Sequence, residues 1–250
     1  MSGHSKWANI KHKKERNDKA RGAGFTKLAR AITVAAREGG GNPDMNFNLR
    51  LAMDKARAGN MPKDNIDRAI ARGTGDGGSI IVERVIYEGY AMNGIAVLVD
   101  CTTDNRTRTV GEVRSVFNRH SCSIGESNSV AWQFAQRGTI AIPAEGLDPE
   151  EVTMAAIDAG AVDVEADDDV VMVYTEVEDF ARIKNALADG GYDTTESELA
   201  MIPSVQTELE VAETIQVLKF IDKLEGLDDV DRVWSNLSIS DEAAEAFDAA

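Results

Sequence analysis

The chain has 250 residues and a mass of 27.0 kDa, enough for one large domain or two to three small ones, and its 43% hydrophobic and 28% charged content is that of a folded globular protein. Two cysteines, Cys101 and Cys122, are too few to staple a secreted module and fit a reducing cytosol; the opening residues lack an apolar signal core, and no run approaches the ~18 apolar residues of a membrane span, so a cytoplasmic protein is expected. The net charge of -16 would argue against a polyanionic partner if it were evenly spread, but residues 1–75 hold 16 Lys and Arg against 7 Asp and Glu, a net +9, whereas residues 76–250 hold 11 against 36, a net -25.

The first segment reads as helical. Lys6, Lys11, Lys13, Lys14, Arg16, Lys19 and Arg21 crowd its beginning, with Trp7 and His12 among them. From Asp18 to Glu38, the apolar residues Phe25, Leu28, Ala29, Ile32, Ala35 and Ala36 recur at three- and four-residue spacing, one face of an amphipathic helix that also carries Lys27 and Arg30. Gly39-Gly40-Gly41 stops it, and Asn42-Pro43-Asp44 forms a turn. A second helix is expected over about 46–58, with Leu49, Ala52, Met53 and Ala56 inward. A third starts near Pro62 and Lys63, buries Ile66, Ala69 and Ile70, and ends at Gly73; Asn65, Arg68 and Arg72 share its other face.

The glycine-rich stretch 73–79 reads as a hinge, after which the periodicity changes. Strands are expected over 80–90 and 94–101, a helix over 106–119, and a strand over 130–134. Next come a strand (139–143), a helix (148–159), strands (162–166 and 169–175), a helix (178–189) and a strand (198–202), the split β-α-β order of a ferredoxin-like domain. A final helix (211–224) and strand (231–239) cannot bury a core alone, so they should complete the sheet begun at residue 80. The expected fold class is thus α+β multidomain: a basic helical bundle (1–78), a discontinuous α/β domain (79–137 plus 205–240), a ferredoxin-like α/β domain (138–204) inserted into it, and a frayed acidic tail (241–250).

Dense Lys and Arg suit a polyphosphate, because neutralising phosphates releases condensed counterions. The candidate nucleic-acid-binding residues are Lys6, Trp7, Lys11, His12, Lys13, Lys14, Arg16, Lys19, Arg21, Lys27, Arg30, Lys63, Asn65, Arg68 and Arg72. The segment Asp100 to Arg108, at a strand-to-helix junction, offers a second anion site: Thr103 or Asp104 would cap the helix, and Asn105, Arg106 and Arg108 would meet the anion, unless Asp104 and Glu112 neutralise the arginines locally. His120, Cys122 and Cys101 form no recognisable zinc motif, and no nucleophile triad, P-loop or dinucleotide-binding turn is present. No enzyme activity, metal, cofactor or small-molecule substrate is expected.

The motifs Gly3-His4-Ser5-Lys6-Trp7-Ala8-Asn9-Ile10-Lys11-His12, Glu38-Gly39-Gly40-Gly41-Asn42-Pro43-Asp44, Asn60-Met61-Pro62-Lys63-Asp64-Asn65-Ile66, Tyr87-Glu88-Gly89-Tyr90 and Thr103-Asp104-Asn105-Arg106 occur in this order. Together they resemble the YebC/PmpR family, which includes mitochondrial translational activators of cytochrome oxidase. The resemblance spans nearly the whole chain and implies three domains, the last inserted into the second, with a cytoplasmic role in transcriptional regulation by DNA binding. Some relatives instead act on ribosomes stalled at proline-rich stretches, which leaves ribosomal RNA as an alternative partner. Asn46-Phe47-Asn48 departs from the family's Asn-Pro at one helix entrance, and Ala91-Met92-Asn93-Gly94 from its Gly/Pro-rich turn. The acidic domains could recruit a protein partner or disfavour indiscriminate adhesion.

Overall fold

Three helices, α1 (Arg21–Gly39), α2 (Phe47–Ala58) and α3 (Lys63–Thr74), pack through Ile32, Ala36, Leu49, Ala56, Ile66 and Ala69, all nearly inaccessible to solvent, in a computed structural model that describes residues 21–75, 82–167 and 170–249. Asn46 ties the helical domain together. Its Oδ1 accepts the Leu49 amide at 3.0 Å, capping α2, while its Nδ2 donates to the carbonyls of Ala35 and Gly40 at 2.7 and 2.8 Å. Gly73, expected to end α3, instead lies inside it, where a Cβ would stand 2.4 Å from the Thr33 carbonyl oxygen of α1. The helix ends at Thr74, with Gly75 beyond it left-handed at φ 101°.

After residue 82 the chain builds β1 (Glu83–Tyr90), β2 (Ala96–Thr103), α4 (Arg106–Arg119) and β3 (Ser123–Ile124); α7 (Val211–Glu225) and β8 (Val230–Ser235) return to finish the sheet, whose order is β3-β1-β2-β8 with antiparallel pairing throughout. Every residue of β2 is buried. Val97, Val99 and Cys101 face the core with Val113 and Phe117 of α4 and Val217, Phe220 and Ile221 of α7, while Leu98, Asp100 and Thr102 on the alternate positions are also covered, and α1 packs against this strand. Phe117 meets Phe220 edge-on at 5.0 Å. Gly89 makes room for that core: a Cβ there would lie 2.6 Å from the Phe117 ring and 2.4 Å from the Ser123 carbonyl oxygen.

Residues 134–202 form a compact unit of their own. Its elements are β4 (Phe134–Pro143), α5 (Pro149–Ala159), β5 (Asp163–Ala166), β6 (Val170–Thr175), α6 (Phe180–Asp189) and β7 (Glu196–Pro203), in sheet order β5-β6-β4-β7. A β-α-β-β-α-β chain in that order is the ferredoxin-like arrangement. Where its excursion begins and ends, the Ser204 amide donates to the Gln133 carbonyl at 2.7 Å.

Two further expectations fail. Val130 to Phe134 is not a strand: residues 131–133 make a 3₁₀ turn and β4 begins at Phe134, because the Glu88 side chain captures the backbone amides that a ladder would need. The C-terminal residues are not frayed either. They form α8 (Asp241–Asp248), capped by the Ser240 hydroxyl on the Ala243 amide at 3.2 Å, with Ala243 and Phe247, four residues apart, buried in the core of the discontinuous domain.

Candidate nucleic-acid interface

The candidates Lys6, Trp7, Lys11, His12, Lys13, Lys14, Arg16 and Lys19 lie outside the described residues, and Arg21 lies in the first turn of α1. Among the rest, two groups separate by what their charges meet.

Lys27 and Arg30 are engaged with the discontinuous α/β domain. The Lys27 ammonium donates to the Glu225 carbonyl at 2.6 Å. Arg30 Nη1 stands 2.6 Å from Asp229 Oδ1 and 3.0 Å from the Asp228 carbonyl oxygen. The other oxygen of Asp229 receives the hydroxyls of Thr103 and Thr109 at 3.2 and 2.8 Å and the Arg108 guanidinium at 2.6 and 3.1 Å. Burial alone would raise the Asp229 pKa, but the hydrogen bonds from Arg108 and Thr109 and the charges of Arg30 and Arg108 hold it below its ordinary value.

The second anion site expected at α4 is therefore occupied by the protein's own carboxylate. Arg108 also holds Asp104 at 2.8 Å, and Arg106 lies 3.4 Å from Glu83. The cap is neither Thr103 nor Asp104 but Asn105, whose Oδ1 accepts the Arg108 amide at 3.1 Å; Thr103 Oγ1 accepts the Asn105 amide instead. In sequence, Asn105, Arg106 and Arg108 read either as a site for an external anion or as charges neutralised by Asp104 and Glu112; Asp229 could not be anticipated, because it lies more than 100 residues away along the chain.

Lys63, Arg68 and Arg72 of α3 are exposed, and no carboxylate within the described residues forms an ion pair with them. Arg68 donates from Nε to the Asp64 carbonyl at 3.1 Å and from Nη2 to Asn65 Oδ1, which holds its guanidinium along the helix. Arg72 in the last turn also complements the α3 dipole. Asn65, Arg68 and Arg72 form one wall of a groove of about 380 Å³; Phe25, Thr26, Ala29, Arg30 and Thr33 of α1 form the other, with Met61 also in its lining and Val82 and Asp104 contributed by the chain beyond α3. Spacing on α3 places the three polar residues on one face; the apolar residues beside them come from α1, and nothing in the sequence links the two sets. Among the described residues there is no cluster of three His, Cys, Asp or Glu side chains able to hold a metal ion, and no helix is long and apolar enough to cross a membrane.

Fold and site together define a multidomain α+β protein whose helical first domain presents Lys63, Arg68 and Arg72 to solvent. The chain belongs to the TACO1/YebC family: the family model described as the TACO1/YebC protein N-terminal domain matches residues 5–76, and that of the TACO1/YebC second and third domain matches residues 82–237. It is 52% identical to a protein of Herpetosiphon aurantiacus over 248 residues, 99% of this chain and 98% of that one, and 50% identical to one of Roseiflexus castenholzii over 252 residues, 99% of each; both are named "probable transcriptional regulatory protein". A crystal structure of a conserved hypothetical protein from Aquifex aeolicus superposes with a TM-score of 0.84 at 40% identity, covering 90% of this chain and 93% of that one.

Proposed function

We propose that this protein is a non-enzymatic regulator of transcription that binds DNA through its basic helical domain. Lys63, Arg68 and Arg72 are proposed to contact phosphate together with Lys6, Lys11, His12, Lys13, Lys14, Arg16, Lys19 and Arg21, with Trp7 packing against a sugar or base. Lys27 and Arg30 serve a different role, because Lys27 is bound to the Glu225 backbone carbonyl and Arg30 to the Asp229 carboxylate. The observation that carries this reading is the cationic face of α3, without an ion-pair partner among the described residues, in the segment with net charge +9 on a chain whose remainder holds -25. Such segregation draws a polyanion to one end and repels it from the rest. The domain boundaries expected from sequence, 1–78 for the basic part and 138–204 for the insertion, belong to the same proposal.

Crosslinking the full chain in growing cells, followed by sequencing of both DNA and RNA, tests it. DNA fragments should dominate, and replacing Lys11, Lys13 and Lys14 together with alanine should deplete them broadly across sequences. Recovery chiefly of ribosomal RNA would replace the transcriptional reading with a ribosome-associated one using the same surface.

A further inference from the structure

We infer that the groove between α1 and α3 receives one unpaired nucleotide of the bound strand, the base in the slot and its phosphate on Arg68 and Arg72. This rests on the nucleic-acid reading above and adds a preference that backbone binding alone would not give. Four features carry it.

The slot is of ligand size, about 380 Å³, near the lower end of the ~300–1,000 Å³ typical of small-molecule sites. A duplex cannot enter it; a single base can, after leaving its stack. Its sides are apolar where a base face would lie. Phe25, Ala29 and Met61 line it, and the Thr33 hydroxyl is already spent on the carbonyls of Ala29 and Ala69 at 2.9 and 3.1 Å.

The rim is cationic and ordered. Arg68 and Arg72 stand one helical turn apart, and a guanidinium can both grip phosphate and stack on a base plane. Arg30 also lines the slot from the α1 side, but its charge is met by Asp229, so the cationic rim is that of Arg68 and Arg72.

Finally, the groove holds both polarities needed at a base edge. The Asn65 amide supplies a donor, and the Asp104 carboxylate, held by Arg108 at 2.8 Å, can accept from an exocyclic amine. An acidic peptide would satisfy the arginines yet gain nothing from an apolar slot.

The test uses the full chain and strands of about 12 nucleotides carrying one 2-aminopurine, as single-stranded DNA, single-stranded RNA and duplex DNA, with a free mononucleotide as a fourth arm. Single strands should bind about tenfold more tightly than duplex at near-physiological salt, with a change in 2-aminopurine emission; whichever polymer gains more identifies the natural source. Thr26→Trp, at an exposed rim position, and Ala29→Phe, within the slot, should each abolish the emission change and bring single strand and duplex to equal affinity. Circular dichroism confirms folding of both variants, and Thr26→Trp keeps the test decisive if Ala29→Phe does not fold. Equal affinity for single strand and duplex in the unsubstituted protein, with no change in emission, would overturn the inference while leaving backbone binding intact. Saturable binding of the mononucleotide without any preference among the polymers would also overturn it. Failure to bind any polymer would remove the nucleic-acid reading as well.

Discussion

Arg30 Nη1 lies 2.6 Å from Asp229 Oδ1, an ion pair that joins residues 199 positions apart and fastens the helical domain to the discontinuous α/β domain. The Asp229 side chain is 1% exposed and receives both arginines and two threonine hydroxyls, so its removal strands several buried donors at once. Asp229→Ala should cost about 3 kcal/mol in urea unfolding, because a buried charge network is broken from its centre. Arg30→Ala should cost less, since Arg30 is partly exposed and Asp229 keeps Arg108.

Glu88 acts on one loop in a similar way. Its carboxylate accepts the amides of Asn128, Val130 and Ala131 at 2.6, 2.9 and 2.7 Å, fixing the turn that presents the exposed Trp132. Burial would raise its pKa, but the three amides more than offset this and hold it down. Glu88→Gln places an amide group among amide donors and should destabilise the fold by about 2 kcal/mol, read by urea unfolding. Because the folded pKa is depressed, the stability from Glu88 is present above the unfolded value and is lost as pH falls through the folded one.

Asp231 titrates in the opposite sense. Burial, reinforced by Asp100, pushes its carboxyl from an ordinary 3.8 up to about 6, against the Thr102 hydrogen bond and the charges of Lys27 and Arg84. Between about pH 4 and 6 the folded chain thus binds a proton that the unfolded chain has released, so this group destabilises progressively as pH rises to 6 and fully above it. Asp231→Asn should stabilise the protein at pH 7.5 by about 2 kcal/mol, with the gain shrinking as pH falls from 6 toward 4. Urea midpoints of both proteins across that range check it.

Gly73→Ala tests the packing of α1 on α3. Helix propensity alone favours alanine by about 1 kcal/mol. The added methyl would press within 2.4 Å of the Thr33 carbonyl oxygen and 2.7 Å of the Ala36 Cβ, so a net loss of about 2 kcal/mol is expected in thermal or urea unfolding. A neutral or stabilising result would show that the two helices separate at little cost.

Local periodicity makes most elements legible in the sequence. Helix α4 spans Arg106–Arg119 as expected, and the order of strands and helices behind the ferredoxin-like arrangement is legible, although β4 begins at Phe134, five residues before the expected strand. Expectation and structure part where a distant group decides the backbone. Residues 130–134 look like a strand by composition, yet Glu88 about forty residues earlier takes the amides of Val130 and Ala131. The acidic C-terminal residues look solvated, yet Phe247 finds a core. The same holds for the site: spacing groups Asn65, Arg68 and Arg72, but it cannot show that the second face of α1 packs against β2 and turns Lys27 and Arg30 inward.

Titration of labelled duplex DNA with the full chain over a range of salt concentrations, comparing the unsubstituted protein with Arg68→Ala/Arg72→Ala, bears most directly on the cationic face of α3. Each phosphate that is no longer neutralised should flatten the plot of log Kobs against log salt by about 0.9, so the double variant is expected to show weaker binding and a slope reduced in magnitude by about 1 to 2. An identical slope and affinity for the two proteins would contradict the assignment of this face to nucleic acid.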